Sequence, residues 1–423
     1  MDIEQKDYTE LRTNFNNVLN CDKSTFKTSN DEPTPIECIE EMLSVLPKDV
    51  WLNKDLKVLD PCCGNGNFSL VVWNILKGLG YKDKEIVENH LYFNDINQER
   101  LANVHTTFCG DKFNINIENE DFLKMKYDNL FDIIVGNPPY AKLLENGKRA
   151  SKNHNLIKDF LDKSLTLLKP GGYLVYITPD NWMSYADRNE IIKKLTKLQI
   201  VHLNIHTAKK YFKKIGSSFT WYIIENTPHY KDICVEGLYK GVNYKSNVVS
   251  QTRRYIPLFY SDVVQSILSK TIDNDIINKY AVETTSDLHK YTKKDLISCT
   301  QDEEYKYRLI HTPKQTVYAK RPHKYQSGYK VFLSTTDKYK IFVDNCGMTQ
   351  SIAFIRCASV DEAEEVKKVL THPLYEFINN ICRWGNFNNI RILQQFPIPQ
   401  DIEDIYGSFG ITDKEKEVIL SYL

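Results

Sequence analysis

The sequence carries no excess of either charge: 55 Lys and Arg offset 55 Asp and Glu over 423 residues. That balance excludes a uniformly basic nucleic-acid coat. None of the ten cysteines forms a Cys-x-x-Cys pair or lies near a His at zinc spacing, so no metal-binding finger or ribbon is expected. Cys62 and Cys63 are neighbours in the chain, a poor geometry for bridging each other. No apolar run approaches the roughly 20 residues that a membrane helix needs. The charged start Met1-Asp2-Ile3-Glu4-Gln5-Lys6-Asp7 has no signal-peptide core. Internal repeats and low-complexity tracts are missing as well. These absences point to a soluble, non-secreted protein with free thiols and no membrane contact. A bacterial cytoplasm, or the host cell for a virus-encoded chain, is the expected location.

With 42% apolar residues the chain has enough material for a sizeable core, and its length favours two domains. Neutrality hides an asymmetry. Residues 1–200 hold 25 Lys and Arg against 30 Asp and Glu; residues 201–330 hold 21 against 12. A neutral or acidic module joined to one facing a polyanion has this signature, as does a lysine-rich surface that is merely solvated.

Apolar positions 36, 39, 42, 43 and 46 recur at helical spacing behind Pro33-Thr34-Pro35. Lys57-Val58-Leu59-Asp60 reads as a short buried strand, followed by a helix from Phe68 to about Leu79. Residues 90–95 form a second strand candidate, 96–108 a helix, and a third strand precedes Glu120-Asp121-Phe122. Phe131–Gly136 is continuously apolar, as strands buried on both faces are. A helix over 156–168 stops at Lys169-Pro170-Gly171-Gly172, and strands are expected at 173–178, 200–205 and 219–224. Alternation of strands with helices predicts a doubly wound, mostly parallel α/β sheet of Rossmann type. The rhythm fades after about residue 245, where Tyr and Lys interleave. The expected organisation is an N-terminal extension over 1–30, an α/β domain over 31–245 and an α+β domain over 246–423.

Two segments carry the chemistry. In Asp60-Pro61-Cys62-Cys63-Gly64-Asn65-Gly66-Asn67-Phe68 the glycines let backbone after a strand approach a ligand closely, although an ordinary strand-to-helix turn has the same look. Asp95, at the end of the next strand, is placed to accept from ribose hydroxyls or to cap a helix. Asp121-Phe122 reads as a purine contact or as a turn carboxylate beside a core ring. The second segment is Asn137-Pro138-Pro139-Tyr140 at the end of the fourth strand. Its prolines fix φ and remove amide donors, so the turn presents acceptors in a rigid array. A planar amine such as adenine N6 is a poor nucleophile because its lone pair is delocalised into the ring. Accepting its protons with the Asn137 side-chain oxygen and the Pro138 carbonyl frees that lone pair for in-line attack on a sulfonium methyl. Positioning then supplies most of the rate, and Tyr140 offers a face for stacking the base.

The order of these segments resembles the gamma group of amino-methyltransferases, the N6-adenine DNA methyltransferases of restriction–modification systems. The correspondence runs through Thr34-Pro35, Asp60 to Phe68, Asp95, Asp121, Asn137 to Tyr140 and the strand Gly171 to Pro179. The resemblance implies a seven-stranded catalytic sheet and S-adenosylmethionine as cofactor. It implies that Thr34 and the glycine loop contact the methionine part, Asp95 the ribose, and Asp121 with Phe122 the adenine, with Pro35, Asp60, Cys62, Gly64, Gly66 and Ile96 also among the expected cofactor contacts. It also implies a second aromatic against the flipped base, for which Phe219 is chosen among several in 211–222.

Residues 246–423 resemble a target-recognition domain loosely. Tyr305-Lys306-Tyr307-Arg308 and Lys320-Arg321-Pro322-His323-Lys324-Tyr325 interleave cations with aromatics, which suits phosphate contacts with some stacking or an exposed basic surface. Lys320 and Arg321 are the candidate substrate contacts. The expected partner is duplex DNA, bound by a monomer that flips the target base. No second metal-binding carboxylate cluster is evident, so no DNA cleavage is expected and a restriction endonuclease would be a separately encoded partner. RNA adenine or protein glutamine methylation uses the same turn chemistry, and a non-catalytic DNA-binding subunit is the reading of another class.

Overall fold

The computed structural model describes residues 1–22, 32–126, 130–140, 156–187, 189–212, 218–249 and 254–423. The chain divides into two compact units: Met1–Trp182 with Glu190–Arg253, and Met183–Asn189 with Arg254–Leu423.

The first unit is organised by a nine-stranded sheet. Its strands are β1 (Val58–Asp60), β2 (Leu91–Asn94), β3 (Asn116–Glu118), β4 (Phe131–Gly136), β5 (Leu168–Pro179), β6 (Leu198–Ile205), β7 (Phe219–Pro228), β8 (Ile233–Tyr239) and β9 (Val242–Val248). Their order across the sheet is β3-β2-β1-β4-β5-β7-β6-β8-β9. β1, β2, β3, β4 and β5 are mutually parallel, and β7 is antiparallel to both β5 and β6. β6 therefore points the same way as β5, and β8 is parallel to β6. The expected mostly parallel sheet is present, and the hairpin β8–β9 extends its seven strands to nine. That hairpin lacks the continuous apolar runs of the central strands, since alternate residues of β8 are buried and most of β9 is exposed. The domain boundary expected at 245/246 falls inside β9.

Successive strands run one way from β1 and the other way from β4, so the order reverses between these two neighbours. A crevice opens at the carboxyl ends of such a pair. Asp132 fixes the opposite end, accepting from the Lys57 amide at 2.8 Å and pairing with Lys169 at 2.8 Å. The helices Ile36–Ser44 and Asn67–Gly78 bury one face each in the main core, with Ile36, Ile39, Met42, Leu70, Val72 and Leu76 wholly buried.

Residues 1–22 belong to this core rather than to an extension. Ile3, Leu11 and Phe15 are buried in the same cluster, and Arg12 pairs with Glu37 and Glu40 of the following helix. Three apolar side chains suffice to dock the segment, and the polar residues between them concealed this in the sequence. Residues 23–30 of the expected extension lie outside the described residues.

The second unit holds a four-stranded sheet built from Ile297–Ser298, Gln315–Ala319, Tyr307–Thr312 and Gly347–Met348, in that order. A three-stranded sheet has Lys330–Ser334 between Ile341–Asp344 and Ile352–Arg356. Helices Asp262–Lys270, Val360–Leu370, Pro373–Ile381 and Asp413–Ser421 complete an α+β unit. The excursion Met183–Asn189 is anchored within it. The Met183 carbonyl accepts from the Ile256 amide at 2.9 Å, Tyr185 stacks on Tyr255 with centroids 5.6 Å apart, and Asn389 donates to Ser184 Oγ and the Tyr185 carbonyl at 2.9 Å each. Among the described residues no helix is long and apolar enough to cross a membrane.

Candidate active site

The loop after β1 takes its shape from two glycines and one carboxylate. Gly64 and Gly66 have φ of +56° and +90°, values that L side chains rarely adopt. A Cβ on Gly66 would also lie 3.1 Å from Phe108 Cε2. Gly66 is thus required for two reasons, and it leads directly into the helix Asn67–Gly78. Asp95, at the carboxyl end of β2, receives the Gly64 amide on Oδ2 at 2.9 Å and the Asn97 amide on Oδ1 at 2.8 Å. Asn94 holds the same loop by donating to the Pro61 carbonyl at 3.0 Å.

The turn after β4 stands beside this loop. Asn137 Nδ2 donates to the Glu32 carbonyl at 3.3 Å, and the Tyr140 hydroxyl donates to Asn137 Oδ1. Cys62 Sγ lies 3.6 Å from the Asn137 carbonyl. The Tyr140 ring is 6.1 Å from Phe219, which itself stacks on Phe212 at 4.6 Å.

Between loop and turn is a cleft of about 450 Å³. Thr34, Cys62, Gly64 and Asn137, each singled out in the sequence, line it together. Glu32, Asn65, Asn67, Phe68 and Arg100 line it too and were not singled out as contacts. Asn65, Asn67 and Phe68 stood within the recognised loop. Arg100 is five residues past Asp95, and nothing in the sequence separates it from a surface arginine.

The remaining candidates divide. Asp60 is buried behind the loop with Oδ1 3.4 Å from the Cys62 amide, and Oδ2 has no hydrogen-bond partner among the described residues. Burial pushes its carboxyl well above the usual carboxylate range. Pro35 caps the helix Ile36–Ser44, and Ile96 is exposed. Asp121 and Phe122 do not reach the cleft lining. Asp121 instead accepts from the Leu123 amide at 3.1 Å and caps a short 3₁₀ turn, while Phe122 is buried against Phe160 with centroids 5.0 Å apart. A carboxylate followed by an aromatic serves a turn and a core as readily as a purine.

In the second unit Lys320 pairs with Glu304 at 2.6 Å and lies over the Tyr305 ring, and Arg321 pairs with Asp287 at 2.7 Å. Residues 254–423 carry 22 Lys and Arg against 22 Asp and Glu. The net +9 of 201–330 is shared almost equally, +5 over 201–253 in the first unit and +4 over 254–330 in the second, where the −4 of 331–423 cancels it.

Residues 40–212 match the family described as Eco57I restriction-modification methylase. Modification methylase CviBIII of Paramecium bursaria Chlorella virus NC1A is 29% identical over 236 residues, 54% of this chain and 57% of that protein. Type II methyltransferase M.VspI of Vibrio sp. (strain 343) is 32% identical over 181 residues, 40% of this chain and 42% of that protein. An uncharacterized adenine-specific methylase of Mycoplasma pneumoniae is 26% identical over 345 residues, 59% of this chain and 80% of that protein. The chain spans about half the length of the first two. Among solved structures, the DrdV–DNA complex shares the fold with a TM-score of 0.58 at 12% identity, covering 100% of this chain and 60% of that one.

The cleft suits an amino-acid-bearing nucleoside. The buried Thr34 hydroxyl oxygen lacks a hydrogen-bond partner among the described residues, and the cleft lining carries both an acidic and a basic side chain. Asp95 stands behind the lining and holds the Gly64 amide of the loop. Residues 40–212 thus resemble the restriction-modification methylases, and S-adenosylmethionine is the methyl donor that the cleft would hold.

Proposed function

We propose that the chain transfers a methyl group from S-adenosylmethionine to the N6 amine of adenine in duplex DNA, acting on a base extruded from the helix. The observation that carries this reading is the turn Asn137–Tyr140, which stands at the carboxyl end of β4 with Asn137 in the cleft lining and the Tyr140 ring near Phe219. The bound donor supplies an already activated sulfonium methyl. The chain's own task is to present the amine. Asn137 Oδ1 and the Pro138 carbonyl accept its two protons, and the Glu32 carbonyl orients the Asn137 amide so that Oδ1 faces outward. Oδ1 now holds the Tyr140 hydroxyl, and an amide oxygen has a second lone pair for the incoming amine. Tyr140 and Phe219 flank the base. Thr34, Pro35, Asp60, Cys62, Gly64 and Gly66 form the donor's methionine side, and Asp95 with Ile96 its ribose side.

Adenine is favoured by the adenine-specific relative, and DNA by the fold shared with a DNA-bound enzyme. Extruding a base costs a few kcal/mol, which phosphate contacts from the second unit, the target-recognition part, would offset. Lys320 and Arg321 would exchange Glu304 and Asp287 for phosphate oxygens there. A separately encoded endonuclease and action as a monomer complete the reading. The test is transfer of labelled methyl to unmethylated duplex DNA, followed by nucleoside mass spectrometry. N6-methyladenine is the expected product, whereas label confined to RNA or protein would overturn the substrate.

A further inference from the structure

We infer that Arg100 anchors the α-carboxylate of the bound donor, with Glu32 supplying the opposite charge in the same cleft lining. This rests on the donor reading of the cleft. S-adenosylmethionine ends in an amino acid, so its methionine end presents a carboxylate and an ammonium about one residue's width apart. Among the described residues lining the cleft, Arg100 is the cation and Glu32 the carboxylate. A zwitterion is met by one charge of each sign.

The placement of Arg100 is built rather than incidental. It stands in the first turn of the helix Gln98–Thr107, whose N-cap Asn97 accepts from the Glu99 amide at 3.1 Å. The Asn97 amide in turn donates to Asp95 Oδ1, while Asp95 Oδ2 takes the Gly64 amide. One carboxylate therefore fixes both the glycine loop and the mount of the arginine, and sets the distance between them. Arg100 Nη1 lies 4.0 Å from where a Cβ on Gly64 would sit. The guanidinium edge therefore borders the glycine loop where residue 64 carries no side chain. The guanidinium is half-buried, which limits screening of its charge. Its planar fork matches a carboxylate in two parallel hydrogen bonds, which a lysine does not reproduce.

The experiment removes the carboxylate from the ligand as well as the arginine from the protein. Binding of S-adenosylmethionine and of its decarboxylated analogue is measured by calorimetry on the full chain, as wild type, Arg100→Gln and Arg100→Lys. Arg100→Gln is expected to weaken S-adenosylmethionine about tenfold or more, with Arg100→Lys between. The decarboxylated analogue should bind all three proteins within about threefold of one another. Equal loss for both ligands, or loss for neither, would overturn the assignment of Arg100. A wild type that binds neither ligand would instead overturn the donor reading of the cleft.

Discussion

Gly66→Ala tests the two demands on the loop after β1 separately from any chemistry. The residue has φ +90°, and a left-handed conformation costs an L residue roughly 1–2 kcal/mol. The new methyl would sit 3.1 Å from Phe108 Cε2 and 3.4 Å from Val104 Cγ2. Phe108 is wholly buried and packed on Phe93 with centroids 4.9 Å apart, so it has little room to yield. Overpacking of this kind costs about 1–3 kcal/mol. Gly64→Ala supplies the control, since its φ is +56° but its Cβ would meet only Arg100 Nη1, at 4.0 Å. A positive φ is thus common to both variants, while Gly66→Ala adds the clash and a φ beyond the left-handed well of L residues. Thermal unfolding with and without S-adenosylmethionine identifies the transition of the first unit, because a ligand of the native state raises it. Gly66→Ala should lower that transition more than Gly64→Ala, by about 2–4 °C for each further kcal/mol. Phe108→Leu in the Gly66→Ala background should recover part of the difference. Equal losses in the two glycine variants would refute the clash and leave conformational strain alone.

Asn137→Ala should cut methyl transfer by about two to three orders of magnitude, as loss of one preorganised polar group does. S-adenosylmethionine affinity should stay nearly unchanged, and Tyr140→Ala should lose less activity; single-turnover assays beside equilibrium binding check both. Burial drives His202 down to about 4, outweighing the pull of Glu236 at 4.0 Å, and the ring is stacked on Trp221. The fold holds it neutral, so stability is complete above its ordinary value near 6.5 and falls as pH drops from there toward 4. His202→Phe should flatten that acid limb in urea titrations of the first unit. Arg321→Ala should weaken DNA binding and reduce the salt slope by about one, read by fluorescence anisotropy across salt concentrations. The purified chain with duplex DNA and Mg²⁺ should show no cleavage, and specific cutting on a gel would contradict the reading.

The parts legible in the sequence are those where local signals and tertiary demands coincide. Phe131–Gly136 is buried on both faces and parallel on both sides, so an unbroken apolar run was its necessary signature. Gly64 and Gly66 announced a tight loop, and the loop is held in left-handed conformations. Phe219 was chosen among several aromatics, and its ring neighbours Tyr140. Other features had no local signature. The hairpin β8–β9 half-faces solvent, so its Tyr and Lys content resembled the end of a domain. Arg100 gains its place from the fold, through Asp95 and Asn97, and carries no motif. The charge excess of 201–330 straddles the passage from one unit to the other, with +5 over 201–253 and +4 over 254–330, so linear counting could not assign it to one unit. Asp121 and Phe122 are a recognisable pair whose side chains cap a turn and pack in the core.

The excursion Met183–Asn189 leaves no single cut that parts the two units whole. The chain crosses between them after Trp182, after Asn189 and after Arg253. A protease nicking the backbone between 249 and 254 would leave residues 183–189 on the N-terminal fragment, holding residues 254–423 only through non-covalent contacts such as Tyr185 on Tyr255 and Asn389 to Ser184. Exchange of the second unit between related chains therefore cannot proceed by swapping everything after one splice point. A chimaera that takes residues 254–423 from a donor but keeps its own 183–189 would pair Tyr185, Ser184 and Asp187 with foreign counterparts of Tyr255, Asn389 and Arg391. Grafts that carry both segments together are the ones this connectivity allows to fold.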